Sequence, residues 1–235
     1  AVLAHSLMLG GRKLPKGRVL GADEVAALRA AGVTAVTVAR LDPGDVGEDA
    51  AAERLARALV PDPAGARLTL SPPHAGRVNF HATGPGIVEI DTAAVHALNR
   101  ADPALTFATL APFARVAEGT MVGTVKVIAY AVAGATLEEA CRVAPGAIRV
   151  RPVALGSAGL ILTTTGAPND SKLARKGEQA VAARLAALGM TLAEVVEVPH
   201  DAAAIAAALG PLKGDMVLIL TSAATSDLHD TAPEG

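Results

Sequence analysis

The sequence predicts an α/β protein: an incomplete three-layer α/β/α domain with a parallel sheet, preceded by two smaller α+β segments. Two observations carry this. After Ala158, short apolar runs alternate with helix-length segments in the order β-α-β-α-β, the pattern of a parallel sheet with right-handed crossovers. Hydrophobic residues make up 51% of the 235 residues, yet the aromatic ones are only Phe80, Phe107, Phe113 and Tyr130. The core must therefore be filled by Val, Leu, Ile and Ala, the usual interior of helix-covered parallel sheets. The expected division is residues 1–62, a strand-rich segment 63–151, and the α/β domain 152–235.

In order along the chain, a strand-like start leads through Gly10-Gly11 to Arg12-Lys13-Leu14-Pro15-Lys16-Gly17-Arg18. A helix is expected over 23–31 with Gly32 at its stop, a strand over 33–40 and an amphipathic helix over 49–59. Pro61, Pro63, Pro72 and Pro73 crowd into residues 60–75 and mark the first boundary. Strands are expected over 77–83 and 86–90, flanking a Gly84-Pro85 turn, then over 105–110 and 121–132. Between them Asp91 caps a short helix to Arg100, and Thr136 with Glu139 forms a capping box for another. From residue 159 the elements become regular: strand 159–165, helix 173–188 stopped by Gly189, strand 191–198, helix 201–209 capped by Asp201, strand 215–221. With the first of these strands between the other two, the carboxyl ends of the first and third flank a switch-point crevice.

Charge and composition exclude several classes. A formal net charge of -2, with no long run of one sign, gives no basic stripe for a nucleic-acid backbone, and four aromatics offer little for bases to stack on. No apolar run reaches the ~18–20 residues that span a bilayer. The opening Ala1-Val2-Leu3-Ala4-His5-Ser6 lacks the basic start of a signal peptide, so a cytoplasmic location is the default. Cys141, the single cysteine, reads as a small buried hydrophobe within a helix. His5, His74, His81 and His96 show no metal-ligand spacing, so no structural zinc is expected. Arg12, Lys13, Lys16 and Arg18 form a local basic cluster, read as a solvated hairpin in preference to a phosphate grip. The missing initiator Met and a helix starting at Pro233-Glu234-Gly235 read as a chain trimmed at both ends.

The chemistry is expected at two loops. Thr163-Thr164-Thr165-Gly166-Ala167-Pro168-Asn169-Asp170-Ser171-Lys172 places small hydroxyl residues between a strand's carboxyl end and a helix's amino end. That suits an anionic ligand, although an ordinary hydroxyl-rich connection weighs equally. Neither the dinucleotide fingerprint nor a Gly-x-x-x-x-Gly-Lys-Ser/Thr loop occurs. The second loop, Thr221-Ser222-Ala223-Ala224-Thr225-Ser226-Asp227-Leu228-His229-Asp230, has small side chains that admit a ligand to the backbone. Asp227 or Asp230 could hold a metal or accept from an amino-heterocycle. Asp230 could equally cap a helix before Pro233.

These residues resemble the molybdopterin-binding domain of molybdenum-cofactor biosynthesis proteins. The likeness rests on the hydroxyl loop, on Val198-Pro199-His200-Asp201 opening a helix, and on residues 217–221 running into a small-residue turn with Asp230 and Pro233. The family's last turn usually reads Gly-Gly-Thr-Gly followed by an Asp and binds the pterin and its phosphate. Here Ser222-Ala223-Ala224-Thr225-Ser226 takes that place and Asp230 comes one residue early. Arg175-Lys176-Gly177 stands where many members have Asp-Lys-Gly. Lys16-Gly17-Arg18-Val19-Leu20, Asp23-Glu24-Val25, Gly76-Arg77-Val78-Asn79 and Thr124-Val125-Lys126-Val127-Ile128 extend the resemblance to a bacterial subfamily over nearly the whole chain.

The resemblance implies binding of molybdopterin or its adenylated form by Thr163, Thr164, Thr165, Ser171, Thr221, Ser222, Ala224, Thr225 and Ser226. It implies catalytic roles for Asp201 and Asp230, with magnesium assisting nucleotidyl transfer or molybdate insertion, and a homo-oligomer without nucleic-acid or membrane partners. Two alternatives stay open: a non-catalytic carrier or sensor of the cofactor, and an unrelated nucleotide-binding α/β module.

Overall fold

The computed structural model describes residues 1–168 and 170–221. The chain divides into two compact units, Ala1–Arg151 and Pro152–Gly235, and is of mixed α/β type. In chain order the first unit contains β1 (Val2–Leu3), β2 (Leu7–Leu9), β3 (Arg12–Leu14), α1 (Ala22–Ala30), β4 (Val38–Ala39), β5 (Asp45–Gly47), α2 (Glu48–Leu59) and β6 (Leu68–Leu70). There follow β7 (Arg77–Ala82), β8 (Gly86–Ile90), α3 (Thr92–Ala101), β9 (Leu105–Thr109), β10 (Arg115–Val116), β11 (Met121–Val127), β12 (Ala131–Ala133), α4 (Gly134–Val143) and β13 (Ile148–Pro152). The second unit holds β14 (Ser157–Thr164), α5 (Asp170–Ala186), β15 (Thr191–Pro199), α6 (Ala202–Leu209) and β16 (Met216–Leu220).

The first unit is built from small antiparallel sheets, the largest in the order β6-β7-β11-β9. Alternation decides its inward face: Val78, Phe80 and Ala82 of β7, Leu105 and Phe107 of β9, and Val125 and Val127 of β11 are buried. The rings of Phe80 and Phe107 meet at 5.4 Å between centroids, tilted by 56°, the offset geometry aromatic pairs favour. On α2, Ala51, Ala52, Leu55, Ala56 and Leu59 form one stripe at helical spacing, wholly withdrawn from solvent. That stripe, Val60 and Leu68 all belong to a single core. The expected boundary near residue 62 therefore falls inside continuous packing.

Several expected elements differ. The strand over 33–40 contracts to β4, whose partner is β1. The strand over 121–132 breaks at Ile128, whose amide donates to Ala104 (2.8 Å); the chain then re-enters as β12, paired with β5. The capping box at Thr136 does not form. β12 runs straight into α4, whose first amide, Gly134, donates to the Gly44 carbonyl (3.1 Å), so the cap position falls at Ala133, three residues earlier. The cap at Asp91 is as expected, its carboxylate accepting from the Ala94 amide (3.0 Å). The hairpin cluster is engaged locally: Arg18 pairs with Glu24 (2.7 Å) and the Lys16 ammonium lies 4.9 Å from the Tyr130 ring centre.

The second unit is the parallel three-stranded sheet β15-β14-β16, the predicted order of second, first, third. β14 is buried at every position from Ala158 to Thr163, as a central parallel strand must be when both faces are covered. Leu160 and Leu162 pack with Ala174 of α5. Gly159 lies on the opposite side of the pleat, where a Cβ would come within 2.6 Å of the Leu212 side chain and the Lys213 carbonyl oxygen. Only a glycine fits there. The starts of β14 and β16 are joined by Asp215, whose Oδ2 accepts from the amides of Gly156 (2.8 Å) and Ser157 (2.9 Å) and from the Ser157 hydroxyl (3.1 Å).

Candidate functional site

At the carboxyl ends of β14 and β16 the sheet opens into a cavity of about 320 Å³. Thr163 and Thr221 come from the strand ends, Asp170, Ala174 and Gly177 from α5, and Leu220 from the last residue of β16. α5 approaches closely because Gly177 has no side chain: a Cβ there would sit 2.2 Å from Leu220 Cδ2. The placement follows from topology. β14 connects to β15 on one side while β16 lies on the other, so the chain leaves the two cavity-flanking strands in different directions and a gap remains.

Asp170 is the chemical centre of this cavity. It begins α5, is 8% exposed, and turns its carboxylate back onto the preceding loop. Oδ2 accepts from the amides of Thr165 (2.6 Å), Gly166 (3.0 Å) and Ala167 (3.2 Å) and from the Thr165 hydroxyl (3.1 Å). Among the described residues no bond ends on Oδ1. The Thr165 amide, followed by the other donors, holds the carboxyl below its ordinary range, so the group is ionised at neutral pH. The amides of the loop expected to suit an anionic ligand are thus occupied by the protein's own carboxylate.

The expected binding residues separate accordingly. Thr163, 3% exposed, lines the cavity and its hydroxyl lies 2.9 Å from His200 Nδ1. Thr221 also lines it. Thr164 instead directs its hydroxyl to the Val198 carbonyl (3.4 Å), and Thr165 is committed to Asp170. Ser171 is exposed on the first turn of α5. Asp201 is exposed and caps α6, accepting from the Ala204 amide (3.0 Å). Ser222, Ala224, Thr225, Ser226 and Asp230 lie outside the described residues.

Sequence reasoning missed Asp170 and Gly177. The signal for Gly177 was present, since an isolated glycine inside a helical pattern often marks close packing. The signal for Asp170 was ambiguous, because an acid at a helix start reads as dipole compensation.

A second cavity, about 620 Å³, lies in the first unit between α2 and the edge strand β6. Its charged residues, Glu53 and Arg57, pair with each other at 2.9 Å, and the remaining wall mixes Pro, Leu, Ala and Val with Thr69, Ser71 and Thr83. It is larger than the crevice, but it lies beside an edge strand and not at the ends of parallel strands. Among the described residues no three His, Cys, Asp or Glu side chains gather as a metal site, and no helix is long and apolar enough to cross a membrane.

No family model, no curated protein and no solved structure matches the chain.

Proposed function

We propose that the chain binds molybdopterin, or its adenylated form, during assembly of the molybdenum cofactor. One observation carries the reading: a cavity at the carboxyl ends of two parallel strands that flank a switch point, lined by Thr163, Thr221 and a buried ionised Asp170. At about 320 Å³ it falls at the lower end of small-molecule sites, which run from roughly 300 to 1,000 Å³. The continuous burial of β14 from Ala158 to Thr163, with Leu160 and Leu162 against α5 and Gly159 against the loop before β16, supports coverage of both faces and hence the three-layer arrangement.

Nucleotidyl transfer to the pterin phosphate and molybdate insertion are the reactions the resemblance suggests. Magnesium would then be held by one or two carboxylates together with the ligand's phosphate. Carriage of the cofactor without turnover is the second reading, favoured by the commitment of Asp201 to capping α6.

Calorimetric titration of the full-length protein with molybdopterin, with and without ATP or CTP and magnesium, tests both readings. Binding with release of pyrophosphate supports transfer, and binding unaffected by nucleotide supports carriage. Thr221→Val should weaken binding by up to about tenfold, the worth of one ordinary hydrogen bond of about 0.5–1.5 kcal/mol. Arg12→Ala should leave it unchanged. Undiminished affinity in the first variant with a large loss in the second would move the site to the first unit.

A further inference from the structure

We propose that Asp170 is a ligand-recognition residue, its Oδ1 accepting a hydrogen bond from an N–H donor of a flat heterocycle bound in the crevice. The assignment deepens the pterin reading and rests on it for the ligand class, a cyclic guanidine such as a 2-aminopyrimidinone edge.

The argument begins with how unevenly the carboxylate is satisfied. All four of its hydrogen bonds converge on Oδ2, from Thr165, Gly166 and Ala167. Oδ1 carries an equal share of the charge and accepts nothing among the described residues. Asp170 as a residue is mostly withdrawn from solvent and lines a cavity large enough for a small ring system, so its second oxygen is left as an acceptor for a group that enters there. The same four bonds fix the side chain's rotamer, so Oδ1 is preorganised and a ligand bonding to it would not have to order a mobile group. Its charge sets the sign of the complementary group. A phosphate oxygen would be repelled, whereas an N–H donor gains a charge-assisted bond, roughly twice as strong as a neutral one. Leu220, Ala174 and Leu162 supply apolar walls for a ring's faces. The threonine loop, whose amides are already occupied, becomes the support of the recognition group instead of an anion cradle.

Lumazine keeps ring N–H donors but carries an oxo group where pterin has the exocyclic 2-amino group assigned to Oδ1, and each is fluorescent. Titrating each into the full-length protein should show pterin bound at least tenfold more tightly. In Asp170→Asn that preference should fall to within about threefold. In Thr165→Val, which removes one bond to Oδ2 and leaves Oδ1 in place, it should persist. A wild-type protein that binds the two alike, or binds neither, overturns the assignment without requiring any variant to fold. So does an Asp170→Asn protein that keeps the full preference. Molybdopterin binding without pterin preference would overturn the role of Asp170 and leave the cofactor reading standing. Pterin preference without molybdopterin binding would do the reverse.

Discussion

The two units solve the same packing problem in opposite ways. In Ala1–Arg151 the strands that line the core are not apolar throughout. Phe80, Phe107, Val78 and Val125 alternate with polar neighbours, and burial is achieved by laying α2, α3 and α4 against antiparallel sheets to form one large core. Among the described residues of the second unit, β14 alone is buried on both faces, while β15 and β16 are partly exposed along most of their length. The first arrangement spreads stability over many long-range pairings. The second concentrates it in one strand and leaves the strand ends open, where the cavity lies.

The comparison is broken or sharpened most strongly by emptying the large core. Phe107→Ala should cost about 3–5 kcal/mol, the usual range for a fully buried ring, with part of the loss from the Phe80 contact. Val195→Ala on the half-exposed β15 should cost well under half as much. Denaturant unfolding followed for each variant checks this, and equal costs would mean that burial is not distributed as described.

Gly159→Ala should destabilise the second unit by about 1–3 kcal/mol, the typical cost of overpacking, because the added methyl meets the Lys213 carbonyl and Leu212. Amide exchange along β14 would report the loss, and unchanged protection would show that the 210–214 loop yields. Asp201→Ala should cost about 1 kcal/mol as a lost helix cap. If it also abolished a measured transfer reaction while leaving ligand affinity intact, the cap would have a second, catalytic role.

The smallest effect is confined to acid. Hydrogen bonds from Gly156 and Ser157 lower the Asp215 carboxyl below its ordinary value of 3.8. A group whose folded value is depressed contributes stability that is present above the unfolded value and lost as pH falls through the folded one. The thermal midpoint should therefore be insensitive to this group near about pH 6 and decline below about pH 4, with a shallower decline in Asp215→Asn. In the first unit Glu89, held to about 2 first by Arg149 and then by Arg151, should behave similarly at lower pH.

The same contrast explains what could be read in advance. The β-α-β-α-β order was legible because β14 is a continuous apolar run and Gly189 and Asp201 punctuate the helices. The pairings of the first unit were not. β7 and β8 flank a short turn yet enter different sheets, β7 between β6 and β11 and β8 between β10 and β13, and nothing in local periodicity encodes a partner that distant. At the site, Thr163 and Thr221 were visible as hydroxyls at strand ends. Asp170 was hidden because its role depends on a backward turn onto Thr165, which only the folded loop creates.

Asp215 joins β14 and β16 at their amino ends, whereas the cavity lies beside Thr163 and Thr221 at the other. From Ser157 to Thr163 is about 20 Å at some 3.3 Å per residue. The two strands are paired from Ala158 opposite Met216 to Leu162 opposite Leu220, two joined arms riveted at one end and open to change only in the residues beyond the other. The residues at the tips can be exchanged for ones with different ligand tastes while the rivet holds the alignment of the arms, so recognition can change without loss of register.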